Sequence, residues 1–413
     1  MATDWAAAER LARGLPLREA LDVSCARSWV ALDLGVRILA WELPHLLPAH
    51  AWADGRRLRW DWDAPLPSVR LRDHPPSESE LALALCHPDG RIREAALGRA
   101  AGSGALLPLV IVRSADWAEP VRERARTLLS REPATTLVRW AGLVLLLSGR
   151  AQGRYALDLL GRALGEGPAA SVEAVLGSGD RATRRFAHRI ALGRGLLAPD
   201  RLARIAASTD DTPLQDLCAD EAVACMGEED QDAVVNTLLA ARAPRVRAAG
   251  VTALRRTGRH GEARDFLADR SGPVRACARY VLRQGGVDPL PLYRALCAAP
   301  AGHPGACAGL GECGVPGDAE TLWPLLEHPL PAVRLHTVAG LRALDAVTRE
   351  RLTPLLDDPS SAVVRAATRA LLPYAAGFSR EWLYDRAAAD RPRPVRVAAL
   401  RLLRAAGYSG PTG

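Results

Sequence analysis

The stretch Val395-Arg396-Val397-Ala398-Ala399-Leu400-Arg401-Leu402-Leu403-Arg404-Ala405-Ala406-Gly407 decides the fold. Its aliphatic residues fall at helical spacing, and Gly407 stands where a helix stops. The same block, Val-Arg-x-x-Ala followed by Leu-Arg and Gly, returns about every 28 to 31 residues. Ile92-Arg93, Val121-Arg122, Val246-Arg247, Val274-Arg275, Val333-Arg334, Val364-Arg365 and Val395-Arg396 are its anchors, and some wider gaps are close to two periods. Self-similarity at this period marks stacked helical units. The chain is therefore expected to be an all-α, right-handed solenoid.

From about Ser77 onward each unit reads as two short helices. The first carries motifs such as Leu322-Trp323-Pro324-Leu325-Leu326 and Leu352-Thr353-Pro354-Leu355-Leu356. A Pro-bearing turn follows, as in His87-Pro88, Asp357-Asp358-Pro359 and Asp390-Arg391-Pro392. Pro is tolerated at a helix start because its missing N–H would be unpaired there anyway. The second helix holds the Val-Arg anchor and is expected to end at Gly258, Gly285 or Gly407, where Gly takes the left-handed cap conformation. Each pair alone exposes an apolar stripe, and stacking buries it.

The turn Asp followed six positions later by Arg recurs as Asp116 and Arg122, Asp269 and Arg275, and Asp390 and Arg396, with His87 and His328 in the acidic position before Arg93 and Arg334. On these residues the chain from Ser77 to Gly407 resembles the HEAT-repeat family, in the bacterial form called PBS-lyase HEAT-like repeats. The resemblance implies that these Asp and Arg residues form a structural ladder of charge-assisted hydrogen bonds between neighbouring turns. Removing Arg275 is expected on that basis to strand Asp269.

Two regions depart from the repeat. Thr135 to Gly167 keeps helical period without an anchor at the expected place. The unit from Val287 to Gly314 has no ladder Arg, and its second helix contains Gly305, Gly309 and Gly311, which weaken a helix by about 1 kcal/mol each. Such a unit is either a hinge or a place where a neighbour packs backbone to backbone.

Residues 1–75 follow other rules and form an N-terminal Trp-rich cap region, with the repeat solenoid at 76–413. Six of the ten Trp lie there: Trp5, Trp29, Trp41, Trp52, Trp60 and Trp62. Arg57 to Asp63 alternates apolar and charged, a Pro-bearing turn follows, and Val69 to Arg72 alternates again, predicting a β-hairpin. Ser28 to Leu43 reads as a buried helix, with a strand pair broken at Gly35 as the alternative. A solenoid end exposes an apolar face and needs such a cap, with a partner-binding module as the alternative reading of this segment.

The 413 residues are 48% hydrophobic and carry a formal net charge of +7, with a pI near 9.2. Every basic residue except His is Arg. The absence of Lys beside abundant Ala, Gly and Pro reflects codon bias in a GC-rich genome more simply than it does nucleic-acid binding. The eight Cys show no C-x-x-C spacing, which implies a reducing compartment. The first residues lack the pattern of a signal peptide, and Leu143 to Leu147 is too short to cross a bilayer. A cytoplasmic location without a membrane partner is expected.

A second Arg row lies nine positions after four anchors: Arg255, Arg283, Arg342 and Arg404. Repeated once per unit, these form a candidate binding stripe on the second-helix surface, which lines the concave side of such solenoids. Arg256, Arg279, Arg369 and Arg401 thicken it if they share the face. The competing account is that Arg near a helix C-terminus is favoured by the helix dipole, at about 0.3 to 1 kcal/mol. His303 and Cys307, with Cys297 and Cys313, are too loosely spaced for a zinc site. They read as structural, as do Cys218 and Cys225 on one helical face.

No cofactor or metal is expected. The repeated His-Glu pairs of the HEAT-repeat deoxyhypusine hydroxylases are missing. Asp116, Trp117, Arg139 and Trp140 match the residue types of HEAT-like alkylpurine DNA glycosylases without a motif. The reading is a non-catalytic scaffold or adaptor that binds a partner protein on its concave surface. The alternative is nucleic-acid binding through the Arg stripe, with glycosylase-type repair as its enzymatic form.

Overall fold

In the computed structural model, which describes residues 5–42 and 76–408, no strand occurs among the described residues. The protein is an all-α solenoid of helix pairs. The expected hairpin at 57–72, with Trp52, Trp60 and Trp62, lies outside the described residues. No described helix is long and apolar enough to cross a membrane. Two compact units divide at Leu197 and Ala198.

The first unit contains α1 (Ala6–Ala12), α2 (Leu17–Ala20), α3 (Ala26–Glu42), α4 (Glu78–Cys86), α5 (Gly90–Ala100), α6 (Leu107–Arg113), α7 (Glu119–Leu129), α8 (Ala134–Arg139), α9 (Ala141–Leu147), α10 (Arg154–Glu166), α11 (Ala169–Leu176) and α12 (Arg181–Gly193). The apolar run after Ser28 is the helix α3, which passes through Gly35 and buries Trp29, Leu32, Val36 and Leu39. It packs on α4, α6 and α9. Trp29 meets Trp140 edge-on at 6.2 Å between ring centroids. The stretch without an anchor is helical too, broken at Trp140 into α8 and α9.

The second unit contains α13 (Pro199–Ser208), α14 (Thr212–Cys225), α15 (Gln231–Leu239), α16 (Pro244–Arg256), α17 (Gly272–Gln284), α18 (Pro289–Ala298), α19 (Gly305–Cys313), α20 (Ala319–Leu322), α21 (Pro331–Ala343), α22 (Arg349–Leu352), α23 (Ser361–Leu371), α24 (Arg380–Ala387) and α25 (Arg393–Ala405). Its second helices stack in one row, α14, α16, α17, α19, α21, α23 and α25, each touching the next.

The anchors are what the stack hides. Ile92, Val121, Val246, Val274, Val333, Val364 and Val395 are all buried, and removing each such side chain from water contributes about 1.5–3 kcal/mol. Pro324 and Pro354 cut the first helices of their units short. After α20 and α22 the chain tightens into 3-10 turns at Trp323–Glu327 and Thr353–Asp357, because Pro cannot donate the α-helical hydrogen bond. Helix ends follow the Gly expectation with one shift. Gly258 and Gly407 adopt positive φ, but after α17 the left-handed residue is Gly286, not Gly285.

The glycine-rich unit is a close-packed junction. A Cβ on Gly311 would stand 2.3 Å from the Gly340 carbonyl oxygen, and one on Gly340 would stand 2.3 Å from that of Cys307. One on Gly309 would meet the Tyr293 ring at 2.0 Å. Gly311 of α19 and Gly340 of α21 let the two helices lie backbone to backbone, while Gly309 makes room for Tyr293. Of the two readings the sequence left open, backbone-to-backbone packing is the observed one.

Candidate partner-binding surface

The Arg anchors are occupied before any partner arrives. Arg93 donates through Nη1 to the carbonyls of His87 and Pro88, both at 2.8 Å, in its own turn. Its Nε and Nη2 reach the two carboxylate oxygens of Asp116, 23 positions downstream, at 2.9 and 2.8 Å. Arg247 repeats the arrangement with the carbonyls of Ala241 and Arg242 and the carboxylate of Asp269. Arg334 does so with His328, Pro329 and Asp358. Each guanidinium thus closes its own turn with one edge and grips the next turn with the other.

This geometry corrects the expected pairing of Asp with the Arg six positions later. Arg122 donates to the backbone carbonyl of Asp116, and Arg275 to that of Asp269, while both carboxylates belong to the preceding unit's Arg. Arg275 turns its other edge to Glu312, which also binds Arg279. Arg396 reaches the Ala389 carbonyl, and Asp390 is exposed, because the preceding unit's Arg365 donates to Ser361 instead. The six-residue interval measures reach to a carbonyl, so the side chain there is free to vary. Its constant job is to accept the N–H two residues on: Asp116 from Ala118, Asp269 from Ser271, Asp358 from Ser360, His87 from Asp89 and His328 from Leu330.

In the first unit the ladder runs into a buried hub that sequence reading missed. Arg113 binds Asp116 at 2.8 Å and also binds Asp33 of α3. Arg93, Arg113, Asp116 and Asp33 are all buried. Burial alone pushes the Asp116 carboxyl up, but the hydrogen bond from Arg93 and the charges of Arg113 and Arg93 overcome it and hold the group below the ordinary carboxylate range. Asp269 and Asp358 are lowered in the same way, burial being outweighed by Arg247 and Arg334. Asp116 and Trp140 are thus committed to the hub and to Trp29. Trp117 is exposed, with the Arg93 guanidinium 5.6 Å from its ring centroid.

The four stripe residues differ from every ladder Arg. Arg255, Arg283, Arg342 and Arg404 lie in the last turns of α16, α17, α21 and α25, and all four are exposed. None has a carboxylate partner among the described residues. Arg255 lies over the exposed ring of Tyr280 at 5.8 Å. Of the four arginines expected to thicken the row, Arg369 and Arg401 are exposed on α23 and α25. Arg256 instead donates to the carbonyls of Ala224 and Met226, and Arg279 to Tyr293 and Glu312.

Among the described residues no group of three or more His, Cys, Asp or Glu is placed to hold a metal. His303 is exposed while Cys297 and Cys307 are buried. Cys218 is buried and its thiol is pushed up to about 12 by burial. Cys225 departs from the expected burial. It ends α14, past the packed part of the helix, and donates to Glu221 at 3.0 Å from an exposed position.

No family model matches the chain, and no curated protein matches it. Solved structures are similar at low overlap. YibA of Escherichia coli is 18% identical, with 59% of this chain and 96% of that chain covered and a TM-score of 0.26. Kap121p is 13% identical over 99% of this chain and 52% of its own, with a TM-score of 0.34. Importin beta is 12% identical over 98% of this chain and 66% of its own, with a TM-score of 0.26. Overlaps this shallow carry no argument, and the all-α solenoid description rests on the helix pairs themselves.

Proposed function

We propose that the protein is a non-catalytic scaffold that binds a partner protein on the second-helix surface of residues 198–413. The observation that carries this reading is a division of labour among its arginines. The anchor Arg247, Arg275 and Arg334 are spent on turns and acids, while Arg255, Arg283, Arg342 and Arg404 stand exposed on the same row of helices. Large, regular surfaces suit this work. The test compares proteins retained from a native extract by the wild-type chain and by the R255Q/R283Q/R342Q/R404Q variant. A partner lost only from the variant supports the reading, and identical retention by the two overturns it.

A second reading, nucleic-acid binding, is favoured by Tyr280, which is 44% exposed beside Arg255 and offers a base a stacking surface next to a cation. Retention on duplex DNA that weakens steeply with salt is its signature. Failure to bind a DNA column at low salt removes it.

A further inference from the structure

We infer that the occupant of this surface is an extended acidic segment of the partner, with its carboxylates about three residues apart. The inference rests on the scaffold reading and names the chemistry of what is bound.

The argument begins with spacing. The helices α16, α17, α19, α21, α23 and α25 touch in sequence, and packed helices lie about 8–10 Å apart. Arg255 and Arg283 are one layer apart. Arg283 and Arg342 are separated by α19, and Arg342 and Arg404 by α23, which contributes the exposed Arg369. An extended chain of the polyproline-II kind rises about 3.1 Å per residue with three residues per turn, so every third side chain, on one face, meets a new layer. About 15 residues cover the row.

The interruption decides the class of partner. The layer between Arg283 and Arg342 is α19, which carries no Arg, and no free cation stands there among the described residues. The buried, glycine-rich α19 presents Glu312 instead, already bound by Arg275 and Arg279. At the other end of the row α14 presents Asp216, already bound by Arg245, and the exposed Asp220. Duplex DNA carries a charge about every 1.7 Å of its axis, and cannot spare the Glu312 layer. A peptide sets a neutral residue there. The cations therefore fit discrete carboxylates, in a register that begins at α16 and runs to α25.

The probe is a fluorescein-labelled 16-residue peptide with Glu at positions 1, 4, 10, 13 and 16 and Gly or Ser elsewhere, so that a neutral residue faces the Glu312 layer, measured by anisotropy with the full chain. Controls are a peptide of the same composition with its Glu residues contiguous and a 15-nucleotide oligothymidine. The spaced peptide is expected to bind several-fold more tightly than either control. R255Q/R283Q and R342Q/R404Q should each weaken it several-fold, and the quadruple variant at least tenfold, with unchanged circular dichroism. If the quadruple variant does not fold, the two double variants carry the same comparison. No binding at 50 mM salt, equal affinity for the contiguous peptide, or tighter binding of the oligothymidine overturns the inference. If an extract partner still depends on the four arginines while the spaced peptide does not bind, the acidic-segment inference falls and the scaffold reading stands.

Discussion

Arg93 and Asp116 share a two-point contact in which both carboxylate oxygens receive a guanidinium N–H, 23 residues apart in the chain and wholly out of water. Arg113 adds a third donor to the same carboxylate and ties it to Asp33. The first prediction follows from removing one partner. Arg93→Ala leaves Asp116 and the His87 and Pro88 carbonyls short of donors in a buried site, a change that costs about 3–5 kcal/mol. Chemical denaturation measures it, and a loss below about 1 kcal/mol, the scale of an exposed ion pair, would contradict the hub.

The second prediction concerns order. Arg247→Ala strands the Asp269 carboxylate, whereas Arg275→Ala leaves that carboxylate bound and Glu312 still held by Arg279. Arg247→Ala should destabilise by about 1–2 kcal/mol more than Arg275→Ala, the cost of one unsatisfied charged group. Denaturant midpoints of the two variants decide it. The reverse order would restore pairing within a single turn.

Two titrations set the response to acid. His336 is held below its ordinary value by burial and by the charge of Arg275, against a smaller opposing pull from Glu312. A depressed folded value means that its stability contribution is complete above about pH 6.5 and drains away as pH falls through the folded value. Asp116, Asp269 and Asp358 are also depressed. Their contribution is complete above about pH 4 and is lost below it. Melting curves should show His336→Gln flattening the upper window. The deficit of Asp358→Asn should shrink as pH drops below about 4, and a constant deficit would contradict its assignment.

The fourth prediction tests the glycine junction. Gly311→Ala puts a methyl group 2.3 Å from a backbone oxygen of α21, and overpacking of this kind costs about 1–3 kcal/mol or more. Gly302→Ala is the control, since a Cβ there meets nothing within 4 Å. Denaturation of both variants gives the comparison, and equal stability would mean that α19 and α21 are not in backbone contact.

Periodicity disclosed most of the architecture, because buried aliphatic residues and terminating glycines are properties of a single helix. The anchors Val246 to Val395 are all hidden, and α3 lies where its apolar run implied. What escaped was long-range. Asp33 and Arg113 stand 80 positions apart, and no local spacing links them. Glu312 replaces the next-turn Asp of Arg275 from 37 positions away, so only an Arg lacking an acid in the following turn hinted at it. The in-turn pairing went astray because a six-residue interval fits a carbonyl as well as a carboxylate. Arg255, Arg283, Arg342 and Arg404 were legible as a row, but that none has a carboxylate partner among the described residues was not.

The two-edged grip of Arg93, Arg247 and Arg334 also has a genetic meaning. A module that brings its own cation and offers its own acid can be duplicated or excised by recombination, and the flanking copies still recognise each other. The glycine junction is the exception, for Gly311 and Gly340 bring α19 and α21 into a backbone contact that a Cβ on either would obstruct. Descendants of this chain should therefore vary in copy number on either side of residues 305–340 while keeping that segment intact.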